Sequence, residues 1–265
     1  MSETGNDPST RIDAILDDMD AEIARCRTHV DRRGYFAAIY RVVTARVRDG
    51  LVDGEFGENG LLEHLDVVFA RRYLDACDGW WGHTTITEPW DAAFRSSIDE
   101  RLLVLQHVLL AINAHINLDL GIAVAETADD NRLDSVDDLR EDFEAINVVL
   151  ASLIDRTQDA LGTVSPWIGI VDRVSRRVDE GVSGFAIEVA RAEAWRFAVT
   201  LAELEPGGRA EAIDAKARAT AELARHIAHP PWPIRLAAWV ARLRESDDLD
   251  QVMTALDIDV SSIGR

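Results

Sequence analysis

The stretch 102-LLVLQHVLLAINAHINLDLGIAVA-125 decides the fold. It is the most apolar run of an otherwise acidic chain, and no formal charge falls between Leu102 and Leu118. Gln106, His107, Asn113, His115, Asn117 and Asp119 nevertheless interrupt it. Polar groups of this kind are costly to bury unless each finds a partner. Their scatter argues against a membrane span and for a central helix of a water-soluble core, wrapped by the other helices.

Stepping ~100° per residue around that helix sorts the polar positions into two stripes. Gln106, Asn113 and Asn117 fall together on one side. His115 and Asp119, one turn apart, fall on the other, with His107 off to one flank. The amide stripe carries no titrating group, which suits hydrogen bonding between helices. The His115–Asp119 pair is the chemical candidate, because an i,i+4 pair can share a metal or let the carboxylate orient a basic imidazole. The alternative is a structural pair across the core. A metal site needs further ligands: His107 is the nearest on this helix, and His64, Glu63, Asp66, Asp142 and Glu188 are candidates elsewhere.

Working outward, apolar positions at three- and four-residue spacing predict helices on both sides of the central one. A polar tail over 1–9 precedes an amphipathic helix that starts near Thr10 with Ile12, Ile15, Leu16, Met19 and Ile23 on one face. Helices are predicted over Tyr35–Leu51 and Leu61–Cys77, followed by an irregular aromatic patch at Gly79–His83. Thr87 reads as an N-cap with Pro89 in the first turn of a helix running from Trp90 to Glu126, kinked near Ser96 or Gly121. Ser135 and Asp138 fit a capping box for a helix over Val136–Leu161. Further helices are expected from Pro166, over Phe185–Leu204, after the break Pro206-Gly207-Gly208 over Arg209–Ala228, and over Ile234–Arg244 and Leu249–Leu256. No alternating strand pattern stands out. The expected fold is all-α, a single multi-helix bundle of about nine or ten helices spanning 10–258, with a C-terminal tail over 259–265.

The formal net charge is −20, from 48 acidic and 28 basic residues, and Lys216 is the single lysine. A surface this acidic repels nucleic acid and anionic membranes, so neither is expected as a partner. It also matches proteins of salt-loving microbes such as halophilic archaea, where ionic strength screens self-repulsion. Cys26 and Cys77 stand apart from any metal-binding spacing, and the N-terminus MSETGNDPST lacks the shape of a secretion signal, so a cytoplasmic location is expected.

Several pieces in order, YFAAIYRVVT (35–44), LDVVFARRYLDA (65–76), PWDAAF (89–94), LQHVLLAINAHINLDLGIA (105–123), DFEAIN (142–147) and EAWRFAVTL (193–201), resemble the DUF5995 family of bacterial and archaeal proteins. The octamer NAHINLDL carries most of that resemblance. It implies an all-α fold and no established activity. His-x3-Asp on a helix is also similar to zinc-dependent phospholipase C and single-strand nucleases, but this chain has Ala125 where their pattern has another His.

Secondary candidates each have a plainer reading. Arg71 and Arg72 suit either an anion or an ion-pair hub. Tyr40 and Thr44 are one turn apart and suit the His115 side. His226 and His229 suit the C-terminal end of a helix. Arg191 and Trp195 suit a cation–π pair. Asp142 and Asn147, like the amide stripe, suit structural hydrogen bonds. The expected functions are metal-assisted or general-base hydrolysis at His115 and Asp119, with a non-enzymatic binding or scaffold domain, or oligomerisation through the tail helices, as alternatives. Cofactor, substrate and partner protein stay open.

Overall fold

The structure is a computed structural model that describes residues 9–56, 60–147, 149–150 and 187–257. The expected helix from Pro166, its flanking turns and most of the terminal tails lie outside these residues. Among the described residues every regular element is helical. These are α1 (Ser9–His29), α2 (Gly34–Val52), α3 (Leu61–Trp81), α4 (Glu88–Ser96), α5 (Val104–Ala114), α6 (Leu120–Asp130), α7 (Ile187–Glu203), α8 (Pro206–Ala228), α9 (Trp232–Arg242) and α10 (Leu249–Leu256). A single π-turn, His115–Asp119, joins α5 to α6, and a 3-10 turn, Val136–Leu139, leads into a helical segment over 140–147.

The protein is an all-α bundle around the continuous rod α5–π-turn–α6, 27 residues from Val104 to Asp130. Its apolar window is 78% buried inside the protein, as for a core helix. The α1 face reads as its spacing predicts: Ile12, Ile15, Leu16 and Met19 are all buried, and Ile23 packs against the same core. Phe36 and Tyr40 of α2, Phe69 and Tyr73 of α3, and Trp90 and Phe94 of α4 complete the aromatic part of that core.

The amide stripe faces α8. Gln106 Nε2 donates to the Ile227 carbonyl at 2.8 Å, while Gln106 Oε1 accepts from the Leu103 backbone N–H at 3.1 Å. Asn113 Nδ2 donates to the Thr220 carbonyl at 2.9 Å, and Asn113 Oδ1 accepts from Asn117 Nδ2 at 2.9 Å. Thr220 lies mid-helix, so Asn113 adds a bond between rods without breaking a ladder, whereas Ile227 lies in the last turn of α8, where Gln106 satisfies a carbonyl that the helix leaves open. Asn113 has no exposed surface. Asn113→Ala leaves the half-buried Asn117 amide without its acceptor, while the Thr220 carbonyl keeps its own ladder bond, and a loss of about 1 kcal/mol is expected. Urea denaturation measures it, and an unchanged midpoint would remove the stripe from the account of stability.

Four local expectations need correction. The long helix from Trp90 does not run through: it ends at Ser96, and residues 97–103 form a turn before α5. Gly121 does not kink the rod but sits in regular helix; an added Cβ there would lie 2.7 Å from the Ala194 carbonyl oxygen of α7. Trp80 and Trp81 extend α3 by a turn beyond Cys77, and Gly82 closes it. Pro206-Gly207-Gly208 is the first turn of α8 rather than a break before it, since proline at the first helical position gives up no hydrogen bond. The Ser135–Asp138 capping box is present, although only a 3-10 turn follows before the segment 140–147.

Candidate functional site

Asp119 is the last residue of the π-turn, and its side chain is 2% exposed. π-turns accommodate one extra residue within an α-helix and are frequent at functional sites. Here the Leu120 N–H reaches back to the His115 carbonyl, closing the wider turn. Asp119 Oδ2 accepts from the indole Nε1–H of Trp90 at 2.7 Å, and Oδ1 accepts from Arg72 Nε at 3.2 Å. Arg72 also donates Nη1 to Glu126 Oε1 at 3.1 Å. The buried carboxylate therefore has both a charge partner and a neutral donor, which is the condition for keeping it inside. Of the two arginines, Arg72 is an ion-pair hub, and Arg71 pairs with Asp18 at 2.9 Å.

His115 lies behind Asp119, deeper in the core. Its ring stacks on Phe69 with centroids 3.6 Å apart and planes 9° apart, and Tyr40 meets it edge-on at 4.4 Å. Nδ1 stands 3.9 Å from Asp119 Oδ2, too far for a hydrogen bond, and neither ring nitrogen has a partner. Burial holds the imidazole below its usual pKa, against the opposing pull of Asp119, so it is neutral at physiological pH. Tyr40 Oη, Thr44 Oγ1 and Asp66 Oδ2 are buried nearby without hydrogen-bond partners, and burial pushes the Asp66 carboxyl up to about 7.

His107 is not part of this group. It packs edge-on to Tyr35 at 6.0 Å, near the start of the rod, and burial holds its pKa down to about 3. His64 is held by Asn131 at 2.8 Å, and Glu63 faces Arg11 at 3.9 Å. Asp142 is buried, Glu188 is exposed, and Asn147 Oδ1 accepts from Arg191 Nε at 2.6 Å. His226 is exposed, and its Nδ1 lies 2.9 Å from the Glu222 carbonyl. Among the described residues no group of three or more His, Cys, Asp or Glu is placed to hold a metal ion. The expected Arg191–Trp195 stack is replaced by a crossed arrangement: Arg191 lies over Phe143 at 4.2 Å, and Arg140 lies over Trp195 at 4.6 Å. The segment 140–147 docks on α7 and offers both side chains a partner from the other helix.

Lowered histidine pKa values have a definite consequence for stability. The unfolded chain takes up protons near 6.5, whereas folded His107 and His115 resist them. Their contribution is therefore present above about pH 6.5 and is lost as pH falls from there toward the folded values. Asp66, raised in the folded state, has the opposite slope between 3.8 and about 7. The unfolding midpoint is expected to fall on acidification below about pH 6.5, and His107→Gln is expected to flatten that slope in urea titrations across the range. An unchanged slope in the variant would place the sensitivity elsewhere.

Asp119 also reaches the surface region beside it. An open cleft of about 580 Å³ is lined by Arg72, Asp75 and Ala76 of α3, by Thr85–Glu88 and Trp90 around the start of α4, by Asp119, and by Ile213, Asp214, Ala217 and Arg218 of α8. Three separate helices and the π-turn thus converge on one concavity. Thr87 sits at the N-cap position as its sequence predicts, but its hydroxyl makes no capping bond and has no partner. Asp75, Glu88, Asp214 and Arg218 form no ion pair among the described residues.

Residues 12–230 match the family of unknown function DUF5995. The chain belongs to that family. The match runs from α1 through α8, so in this DUF5995 member it covers the rod, the π-turn and every wall of the cleft, and stops before α9. Neither the curated proteins nor the solved structures contain a match to the chain.

Sequence reasoning found Asp119, His115 and Arg72. It did not connect Trp90 to Asp119 or assemble the cleft. Trp90 reads as one packing tryptophan among several, and the turn over 97–103 that folds α4 back along the rod has no strong signal beyond Asp99 in SIDERLL.

Proposed function

We propose that this protein is a binding domain for a small organic cation, held in the cleft beside the π-turn. The observation that carries the proposal is the charge of the cleft wall. Asp119 and Arg72 neutralise each other, which leaves the carboxylates of Asp75, Glu88 and Asp214 against the guanidinium of Arg218. Carboxylates facing one concavity attract a cation strongly only if it enters and shares their field. The apolar part of the wall, Ile86, Ala76, Ile213 and Ala217, suits a carbon skeleton over a bare ion.

The geometry favours binding over hydrolysis. His115, the basic candidate, is sealed behind Phe69 and Tyr40 and does not line the cleft. General-base chemistry there retains one supporting feature: a neutral imidazole with both nitrogens unpartnered.

Thermal melting of the full chain with a panel of diamines, polyamines and quaternary ammonium compounds tests the proposal. At least one is expected to raise the melting temperature, and the rise should vanish in Asp75→Asn/Asp214→Asn, whose side chains are exposed and hold nothing in place. A panel with no effect on the parent chain overturns the reading, as does a rise that survives in the variant.

A further inference from the structure

We propose that the core binds one water molecule in a small cavity between the start of α2, the middle of α3 and the first turn of α5, where it bridges Arg33, Tyr73 and His107. The cavity measures about 10 Å³ and lies among Arg33, Phe36, Tyr73, Phe94, Ser97 and His107. That is about the room one water needs, and it is too small for an organic ligand or a polyatomic anion. The four polar side chains of this wall belong to residues only 1–7% exposed.

Three of those side chains carry hydrogen-bonding groups that nothing else satisfies. Arg33 commits one edge of its guanidinium to Asp31, with Nε and Nη2 donating to Oδ2 at 3.0 and 2.8 Å. Its Nη1 has no hydrogen-bond partner: Glu22 Oε1 stands 3.9 Å away and accepts instead from the Trp81 indole at 3.0 Å. Neither ring nitrogen of His107 has a partner. The Tyr73 hydroxyl has none either, and the Cys77 thiol beside it, one turn on, is a weak acceptor. Unpaired polar groups are rare in a protein interior, and here three residues bring theirs to one cavity.

The chemistry of the wall selects water over an ion. Arg33 Nη1 only donates. Burial holds the His107 pKa down to about 3, so the ring is neutral at physiological pH, with one nitrogen that donates and one that accepts. A partner for this set must both accept and donate, as water does. A halide only accepts, and a metal cation would face a guanidinium. Charge points the same way. Arg33 is paired with Asp31, and Arg32, which also lines the cavity, is paired with Glu100 at 3.2 Å, so no uncompensated positive charge is left to hold an anion. The bound water therefore ties the residue that opens α2 to α3 and to the rod, at a point where none of the three side chains bonds another.

A crystal structure of the full chain, at a resolution that shows ordered water, tests the proposal, with a second crystal soaked in bromide. A density peak is expected about 2.7–3.2 Å from Arg33 Nη1 and from a His107 ring nitrogen, without anomalous signal from bromide. In solution, nuclear cross-relaxation between water and the Arg33 side-chain protons is expected to carry the sign of a long-lived bound water. That signal is expected to disappear in His107→Leu, which offers the water no polar atom. An empty cavity in the crystal overturns the proposal. So does a bromide peak at the site, or a cross-relaxation signal that survives in folded His107→Leu. Should that variant fail to fold, the crystal of the unmodified chain decides alone.

Discussion

Asp119→Ala is expected to lower folding stability by about 3–5 kcal/mol. The side chain is 2% exposed and closes two contacts at once, from Trp90 Nε1 at 2.7 Å and from Arg72 Nε at 3.2 Å. Removing it leaves a fully buried indole N–H with no acceptor and a partly buried guanidinium with Glu126 alone. These losses exceed the net worth of the contacts themselves, since unpaired buried groups carry their full desolvation cost. Asp119→Asn keeps an acceptor for Trp90 and sets an amide beside Arg72, so a smaller loss is expected. Urea denaturation of Asp119→Ala, of Trp90→Phe and of the variant carrying both gives the coupling between Asp119 and Trp90 by a double-mutant cycle. If Asp119→Ala unfolds at the parent midpoint, the carboxylate is not what ties α3 and α4 to the π-turn.

Gly121→Ala is the second large effect, a loss of about 3 kcal/mol, the upper end of the usual cost of overpacking. The added Cβ would stand 2.7 Å from the Ala194 carbonyl oxygen and 2.9 Å from Phe197 Cδ1. A flexible side chain could swing away, but the carbonyl is part of α7 and moves only with that helix. Alanine ordinarily stabilises a helix relative to glycine, so the sign here is opposite to propensity. Gly207→Ala is the control: nothing lies within 4 Å of a Cβ at that position, and a gain of about 0.5–1 kcal/mol is expected. Parallel thermal melts decide the matter, and a stabilised Gly121→Ala would show that α6 and α7 are not held at the described separation.

The contrast between those glycines also shows what a one-dimensional pattern conveys. Periodicity was enough to find the rod, the all-α class and the division of its polar residues, because burial imposes the helical repeat directly on the side chains. It was enough for α1, whose buried Ile12, Ile15, Leu16 and Met19 recur at the spacing a single face requires. It could not find the close approach of Ala194 to Gly121, since the two are brought together by tertiary packing alone. The π-turn was equally hidden. HINLD contains no glycine or proline to mark a departure from α geometry. Trp90 and Asp119 are 29 residues apart, and their bond depends on the reversal over 97–103. Pattern reading placed His115 and Asp119 on one side of the helix, but their separation of 3.9 Å and the different depths at which they sit are properties of the packed state.

The π-turn also lets the rod carry a surplus residue without changing which way its second half faces. Five residues at the wider π pitch turn through about the same angle as four at α pitch, so α6 keeps the orientation it would have in a helix one residue shorter. Deleting Ile116 is thus expected to let an unbroken α-helix form with Gly121 still under Ala194, the change being confined to the turn itself. A residue inserted elsewhere in α6, with no such turn to absorb it, would instead rotate everything downstream by ~100°.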